Sequence, residues 1–338
     1  MKKIFIRSPY FIEVDEVAQT SAKLELFFWN KGTTEPTTPN YTLSKNVPSA
    51  SQTKLHWNIS NYAKGFIKPI SPAIVTTPTE EKVETWCYMK VKRYSDNVLL
   101  DTETFVCLNG YSLYSDGYNY STTDAIVPLV NTDIKYYVGS SLNYINVFIE
   151  TIDLSFSISW ISGGTQYLFL NTDISLWKLP IRDGQNLFNS PPYDDPEDFI
   201  INTEQLCEPK YTPITCTFIN RFGGWQYLTF FKANTQAINV MSKDYNLLPS
   251  SIDYNVQQGQ KQRYNFQGKQ TIKCNTGWVD ENYKELIQDL LLSEVVLLDD
   301  KPAIVKSQSF DIKTSLKDKN INYEIEFEYN YGLINDVV

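Results

Sequence analysis

Hydrophobic and polar residues alternate in short runs along most of this chain. Residues 54–60 alternate with a period of two, and residues 86–94 do so again. The turn-forming residues 95–97 separate the second run from another one at 101–108. Because successive side chains of a β-strand point to opposite faces, this period predicts half-buried strands. Further strands are predicted at residues 24–29, 134–138, 144–150, 155–160, 167–170, 294–298, 303–306 and 310–314.

A hairpin is predicted over residues 217–233, where runs rich in aromatic and β-branched residues flank Gly223-Gly224. Glycine adopts a positive φ at little steric cost, so the pair is typical of a turn between two strands. The aromatic residues are Phe218, Phe222, Trp225, Tyr227, Phe230 and Phe231. An isolated hairpin cannot bury this much ring surface, so we expect it to lie against another sheet or another chain.

The last third of the chain contains the only strong helical period. Apolar residues at i, i+3, i+4, i+7 and i+8 predict an amphipathic helix over 281–292, with Asp280 as its N-cap. These residues are Tyr283, Leu286, Ile287, Leu290 and Leu291. Residues 321–330 then alternate strictly between apolar and polar, which predicts a strand with one buried face.

Two polar tracts, 234–242 and 257–273, show little periodicity. We interpret them as extended arms or as long strands that become ordered on a partner.

The pattern as a whole predicts a mainly β protein of two or three β-sandwich or β-barrel-like domains with one C-terminal amphipathic helix. We predict an immunoglobulin-like or fibronectin-like domain at 1–131 and a second β domain at 132–211. A C-terminal β-rich assembly domain is predicted at 212–338. Turn residues at regular intervals between short strands favour this fold class.

Composition narrows the range of partners. The chain has 338 residues, 42% of them hydrophobic and 14% aromatic, and a formal net charge of −9. A protein that grips a phosphate backbone needs clustered basic residues, and no such stripe occurs, so tight nucleic-acid binding is not expected. No apolar run is long enough to suggest insertion into a membrane.

Residues suited to catalysis are scarce, and we predict that the protein is not an enzyme. His56 is the only histidine and lies in an alternating run, so we interpret it as a strand-face residue. The cysteines lack metal-ligand spacing and are interpreted as buried free thiols. They are Cys87, Cys107, Cys207, Cys216 and Cys274.

The densest acidic group is Asp194, Asp195, Glu197 and Asp198. We interpret it as a solvated loop, with a calcium loop or a glycosidase carboxylate pair as alternatives. No cofactor or metal is predicted.

Two surfaces are candidates for contacts. Glu324, Glu326 and Glu328 share one strand face, which is either simply solvated or set against basic residues of a neighbouring chain. Tyr114 and Tyr118 lie in a polar loop and suit a protein or glycan contact. The candidate subunit-contact residues are Phe218, Phe222, Trp225, Tyr227, Glu324, Glu326, Glu328, Tyr114 and Tyr118.

Several segments resemble virion proteins of phages that infect Bacteroidetes. Residues 218–225, Phe-Ile-Asn-Arg-Phe-Gly-Gly-Trp, resemble their N-x-F-G-x-W hairpin. Residues 275–294, and residues 309–314 followed by 321–327, are similar to the same proteins. The runs 24–29, 58–62 and 108–111 are compatible with their opening sandwich. The chain thus resembles the tail hub and ring proteins of crAss-like phages, which are short-tailed viruses of gut Bacteroidetes.

This resemblance implies a structural protein that forms a ring at or below the portal, in the tail of the virion. Its partners would be further copies of itself and other tail or portal proteins, assembled in the cytoplasm of the host. DNA would pass through the ring without being held, because the acidic balance of the chain repels phosphate. The alternative is a glycan-binding adhesin, and a polysaccharide-degrading enzyme is a third hypothesis.

Overall fold

The computed structural model describes residues 1–49, 53–68, 77–138, 143–150, 154–160, 165–170, 174–189, 199–205, 210–247, 257, 259–307 and 320–334. Within these residues the chain is mainly β, as the alternating pattern predicts, and contains one short α-helix near its C-terminal end.

The strands and helices have the following bounds. The N-terminal strands are β1 (Lys2–Phe5), β2 (Phe11–Val14), β3 (Ser21–Trp29), β4 (Tyr41–Asn46), β5 (Leu55–Asn58), β6 (Thr79–Glu80), β7 (Cys87–Ser95), β8 (Val98–Leu108) and β9 (Ser121–Thr122). The middle strands are β10 (Ile126–Pro128), β11 (Lys135–Val138), β12 (Asn143–Ile149), β13 (Leu154–Trp160), β14 (Thr165–Leu170), β15 (Ser175–Ile181), β16 (Gly184–Asn189) and β17 (Phe199–Gln205). The C-terminal strands are β18 (Ile214–Ile219), β19 (Trp225–Phe230), β20 (Thr235–Asn246), β21 (Lys261–Asn275), β22 (Val279–Asp280), β23 (Val296–Leu298), β24 (Lys301–Val305), β25 (Asn320–Ile321) and β26 (Glu324–Tyr329). Helix α1 is Lys284–Leu291, and 3-10 helices occupy Ser60–Phe66, Val83–Thr85, Tyr114–Asp116 and Glu281–Tyr283.

The N-terminal part forms a six-stranded sheet in the order β4-β3-β7-β8-β1-β9. Strand β1 runs parallel to β8, and the other pairs are antiparallel. Phe105 and Cys107 of β8 belong to one core cluster, whereas Val106 and Leu108 belong to another. The sheet is therefore covered on both faces here, which explains why four consecutive residues are buried where a solvated face would require alternation.

The predicted first and second domains share a sheet. Strand β6 pairs with β15, with Glu80 opposite Trp177, in a four-stranded sheet of order β10-β12-β15-β6. Trp86 also packs against Phe148 with ring centroids 5.1 Å apart. The middle strands form a further sheet in the order β11-β17-β16-β13-β14. Packing is thus continuous across residue 131.

The C-terminal part forms a seven-stranded antiparallel sheet in the order β19-β18-β23-β24-β26-β21-β20. One core cluster joins it to the middle strands, because it contains buried residues from Val130 to Tyr329. In β26 the apolar residues Ile325 and Phe327 are buried, which confirms the predicted half-buried strand.

The predicted helix is confirmed with one refinement. Its first turn, Glu281–Tyr283, is a 3-10 helix, and α1 continues from there to Leu291. The Asp280 carboxylate accepts a hydrogen bond from the backbone N–H of Asn282, 2.9 Å away, so this residue caps the helical segment as predicted.

The hairpin of β18 and β19 is also confirmed, and its loop joins three parts of the chain. The Asn220 side chain accepts hydrogen bonds from the backbone N–H groups of Phe222 and Gly224, and it donates one to the carbonyl of Leu129, 2.9 Å away. The carbonyl of Arg221 accepts from the backbone N–H of Tyr111, 2.7 Å away. The Gly-Gly loop is therefore a junction inside the molecule as well as a turn.

Candidate assembly surface

A two-stranded arm extends from the C-terminal sheet and is formed by residues 238–246 of β20 and 261–270 of β21. Strand β26 pairs with β21 only over residues 271–275, so beyond that point β20 is the only described strand that pairs with β21. The twelve residues of β20 span roughly 40 Å at about 3.3 Å per residue. Almost every residue of the arm is exposed. Most of the polar tracts 234–242 and 257–273 thus lies in long strands, and their ordering on a partner stays a prediction.

One face of the arm exposes apolar side chains to solvent. Ile272, at the base, is 1% exposed and belongs to the core. Ile238 and Val240 lie further along this face, opposite Gln270 and Gly268, and each is 62% exposed. The side of the strand pair that is core at its base therefore continues outward with two exposed apolar side chains, while Gly268 on the same side is buried against Leu333. Such a surface is typical of a protein contact.

The arm is basic, although the chain is acidic. Its charged side chains are Lys243, Lys261, Arg263, Lys269 and Asp244. Lys269 pairs with Glu328 at 2.7 Å, and Arg263 lies 3.6 Å from Asp244. Among the described residues, Lys243 and Lys261 have no acidic partner.

A groove of about 700 Å³ runs along the base of the arm. It lies between β21 and residues 329–334, and its lining includes Phe266, Ile304 and Ile334. The backbone N–H of Leu333 donates to the carbonyl of Gly268, 2.9 Å away, and this contact holds the end of the described chain against the arm. Polar and apolar side chains both contribute to the lining of this groove.

The hairpin rings predicted as subunit contacts lie largely inside the chain. Phe218 is fully buried and Trp225 is 6% exposed, so neither side chain offers a contact to another copy. The backbone N–H of Trp225 donates to the side-chain oxygen of Asn146, 2.8 Å away. The prediction for these two residues is wrong, because neighbouring strands of the same chain supply the covering surface.

The other two hairpin rings are half-buried against the same chain. Phe222 packs edge to face on Phe5 with centroids 6.4 Å apart, and Tyr227 packs likewise on Tyr144 at 5.1 Å. A contact of their remaining exposed edges with another copy stays a prediction.

The three strand-face carboxylates have basic partners within the chain. Glu324 pairs with Lys273, and Lys306 lies 3.6 Å from Glu326 and 3.8 Å from Glu328. The complementary charges expected on a neighbouring copy are thus present on adjacent strands of the same sheet. This arrangement stabilises strand register locally, and a docking role for these residues stays a prediction.

The tyrosine loop is exposed as the sequence indicates. Tyr114 begins a 3-10 turn that ends at Asp116, and both Tyr114 and Tyr118 project into solvent. Tyr120 instead stacks on Phe5 with centroids 4.0 Å apart. Two rings of the loop therefore remain free for a contact, and the third anchors the loop to the body.

Catalytic and metal-binding groups do not converge in the part of the chain that the structure describes. His56 lies exposed on β5, and no three acidic, histidine or cysteine side chains come together there as metal ligands do. Cys87, Cys107, Cys216 and Cys274 are buried free thiols, as predicted. Cys207 and the acidic group at 194–198 lie outside the described residues.

Within the described residues, no helix combines the length and apolar composition that crossing a bilayer requires.

One carboxyl group inside the molecule is strongly perturbed. Asp289 of α1 is 7% exposed, and burial raises the pKa of its carboxyl to about 6. The backbone N–H of Arg221 and the Tyr111 hydroxyl both lie 3.4 Å from its oxygens, and they oppose this rise in pKa. The Arg7 guanidinium stacks on Tyr111, 4.7 Å from the ring centroid, and Arg221 lies 3.9 Å from Glu285. Asp289 thus joins α1 to the segment that follows β8 and to the loop between β18 and β19.

We expect Asp289→Asn to raise the free energy of unfolding above pH 6. The folded-state pKa of about 6 exceeds the unfolded value, about 3.9, so the wild type loses stability as pH rises between these two values. A shift of about two units corresponds to roughly 3 kcal/mol, and the asparagine can still accept from Arg221 and donate to Tyr111. Urea denaturation from pH 5 to pH 8 measures the effect. If the stability gain of Asp289→Asn over the wild type does not grow with pH, the prediction is contradicted.

No family model matches the chain, and no curated protein is significantly similar to it.

Proposed function

We propose that this protein is a structural component of a phage virion, a tail hub or ring protein that oligomerises around the DNA ejection channel. The observation that carries the proposal is the arm at residues 238–246 and 261–270, which presents apolar side chains to solvent. A monomer gains nothing from extending an uncovered strand pair from its body, whereas a subunit of an assembly can bury it on a neighbour.

The resemblance of the hairpin and C-terminal segments to tail proteins of crAss-like phages supports the same proposal. The hairpin loop at 220–224 sits where three parts of the chain meet, and its strands β18 and β19 belong to the same sheet as the arm. The acidic balance of the chain suits a channel wall, because it repels the DNA phosphates that must slide past.

The direct test is to measure where the protein is found and in what state. We expect purified virions to contain the protein in many copies, and we expect the recombinant chain to form a discrete oligomer by native mass spectrometry. A chain that remains monomeric and never enters virions would defeat the proposal.

Glycan binding is the second candidate, because the Tyr114 and Tyr118 rings are exposed on a loop. Aromatic rings suit contacts with sugar faces. Binding on a glycan array that is lost in Tyr114→Ala and Tyr118→Ala, without a change in mass, would favour the adhesin over the ring protein.

A further inference from the structure

We infer that the arm docks on the body of a second copy of this chain, in a head-to-tail contact that is steered by charge. The inference rests on the proposed function and names the partner and the mode of contact. Three observations carry it, namely the charge of the arm, its apolar face and its free edge.

Charge complementarity selects a second copy as the partner. The arm carries four basic side chains and one acidic side chain, yet the whole chain has a net charge of −9. The acidic excess therefore lies entirely outside the arm. Lys243 and Lys261, which have no acidic partner among the described residues, face a body of opposite charge when a second copy approaches. Such complementarity accelerates association and favours one orientation.

The free edge and the apolar face supply the contact itself. Strand β20 is the last strand of its sheet, so the backbone groups on its outer edge have no ladder partner among the described residues. An exposed edge of this kind pairs readily with a strand of another chain. Ile238 and Val240 lie on this strand and continue the core face, so the same contact removes their side chains from water.

The charge of the arm also determines how the copies are arranged. A twofold contact between two arms would bring together two surfaces that each carry four basic side chains and one acidic side chain, and like charges would repel. Contact between the arm and the acidic body avoids this repulsion. It uses different surfaces on the two copies, and a contact of this type closes into a ring when the rotation between copies allows it.

Sedimentation velocity of the full chain at low and high salt tests the inference. We expect Lys243→Glu/Lys261→Glu to weaken self-association by at least about tenfold, and high salt to weaken wild-type association by a similar factor, because both act on the charge contact. Ile238→Asp/Val240→Asp should also weaken association, because it places carboxylates on the apolar contact.

Matched controls separate the arm from general surface effects. Lys82→Glu/Lys301→Glu reverses two exposed lysines of the body, and Val17→Asp alters a valine that is 97% exposed. Both should associate like the wild type, within about twofold, because neither lies on the arm. Thermal unfolding of every variant verifies that the body remains folded.

Each outcome has a definite meaning. If the wild type assembles and both arm variants assemble equally well, the arm inference is overturned and the ring function survives. If the wild type stays monomeric at about 100 µM, the arm inference is overturned, and the virion measurement then decides the proposed function alone. Duplex DNA binding that is lost in the lysine variant, without self-association, would assign the arm to nucleic acid and overturn the inference.

Discussion

Gly223→Ala is expected to destabilise the protein by about 2–5 kcal/mol. Gly223 has a φ of +86°, a conformation that costs an L-residue roughly 1–2 kcal/mol. A Cβ atom would also lie 2.8 Å from the backbone carbon of Asn109, which cannot move aside as a flexible side chain can. Overpacking of this kind typically costs a further 1–3 kcal/mol or so. The loop and the N-terminal sheet would have to separate.

Gly117→Ala is the matched control for this prediction. Gly117 has a similar φ of +74°, but no atom lies within 4 Å of the position of its Cβ. It should therefore show only the conformational cost of about 1–2 kcal/mol. Urea denaturation of both variants measures the difference. Equal losses at the two sites would show that the close packing of the loop on Asn109 contributes nothing to stability.

Lys178→Met is expected to cost about 3–5 kcal/mol, because it leaves a buried carboxylate without its counter-charge. Lys178 of β15 lies 2.9 Å from Glu81, and the two side chains are 8% and 4% exposed. The backbone N–H of Lys82, 3.3 Å from the Glu81 carboxylate, is the only other described hydrogen-bond donor to it. The pair lies beside the β6–β15 pairing that joins the predicted first and second domains.

A double variant distinguishes the pair from simple packing. Lys178→Met/Glu81→Leu removes both charges, so its loss should be smaller than that of Lys178→Met alone. Lys54→Met, at the exposed Lys54–Glu13 pair, is the surface control and should cost no more than about 1 kcal/mol. A double variant as unstable as the sum of its two single variants would contradict the prediction.

Local sequence patterns predicted those strands and helices that bury one face against the core and expose the other. Residues 321–330 alternate because β26 buries only one face, and Asp280 precedes the helical segment because its carboxylate caps the first turn. The hairpin at Gly223-Gly224 followed from the conformational freedom of glycine. In each case the signal lies within a few residues of the feature, and local chemistry is sufficient to determine it.

The candidate site was predicted only in part. The tracts at 234–242 and 257–273 were recognised as long strands or arms, but their faces were not assigned, because exposed strands carry little periodicity. The hairpin rings were assigned to subunit contacts, whereas the fold covers Phe218 and Trp225 with its own strands. Lys178 and Glu81 are 97 residues apart in sequence, and no local pattern indicates that they meet.

The sequence by itself determined the β class, the capped helical segment and the hairpin turns. These features depend on the period of apolar side chains and on the backbone conformations available to residues within short segments. The tertiary structure decided which apolar surface remains uncovered. That surface depends on how strands from distant parts of the chain pack, and they cover the aromatic hairpin but leave Ile238 and Val240 of the arm in solvent. Burial is a property of the whole assembly of sheets, so aromatic content alone does not locate a subunit contact.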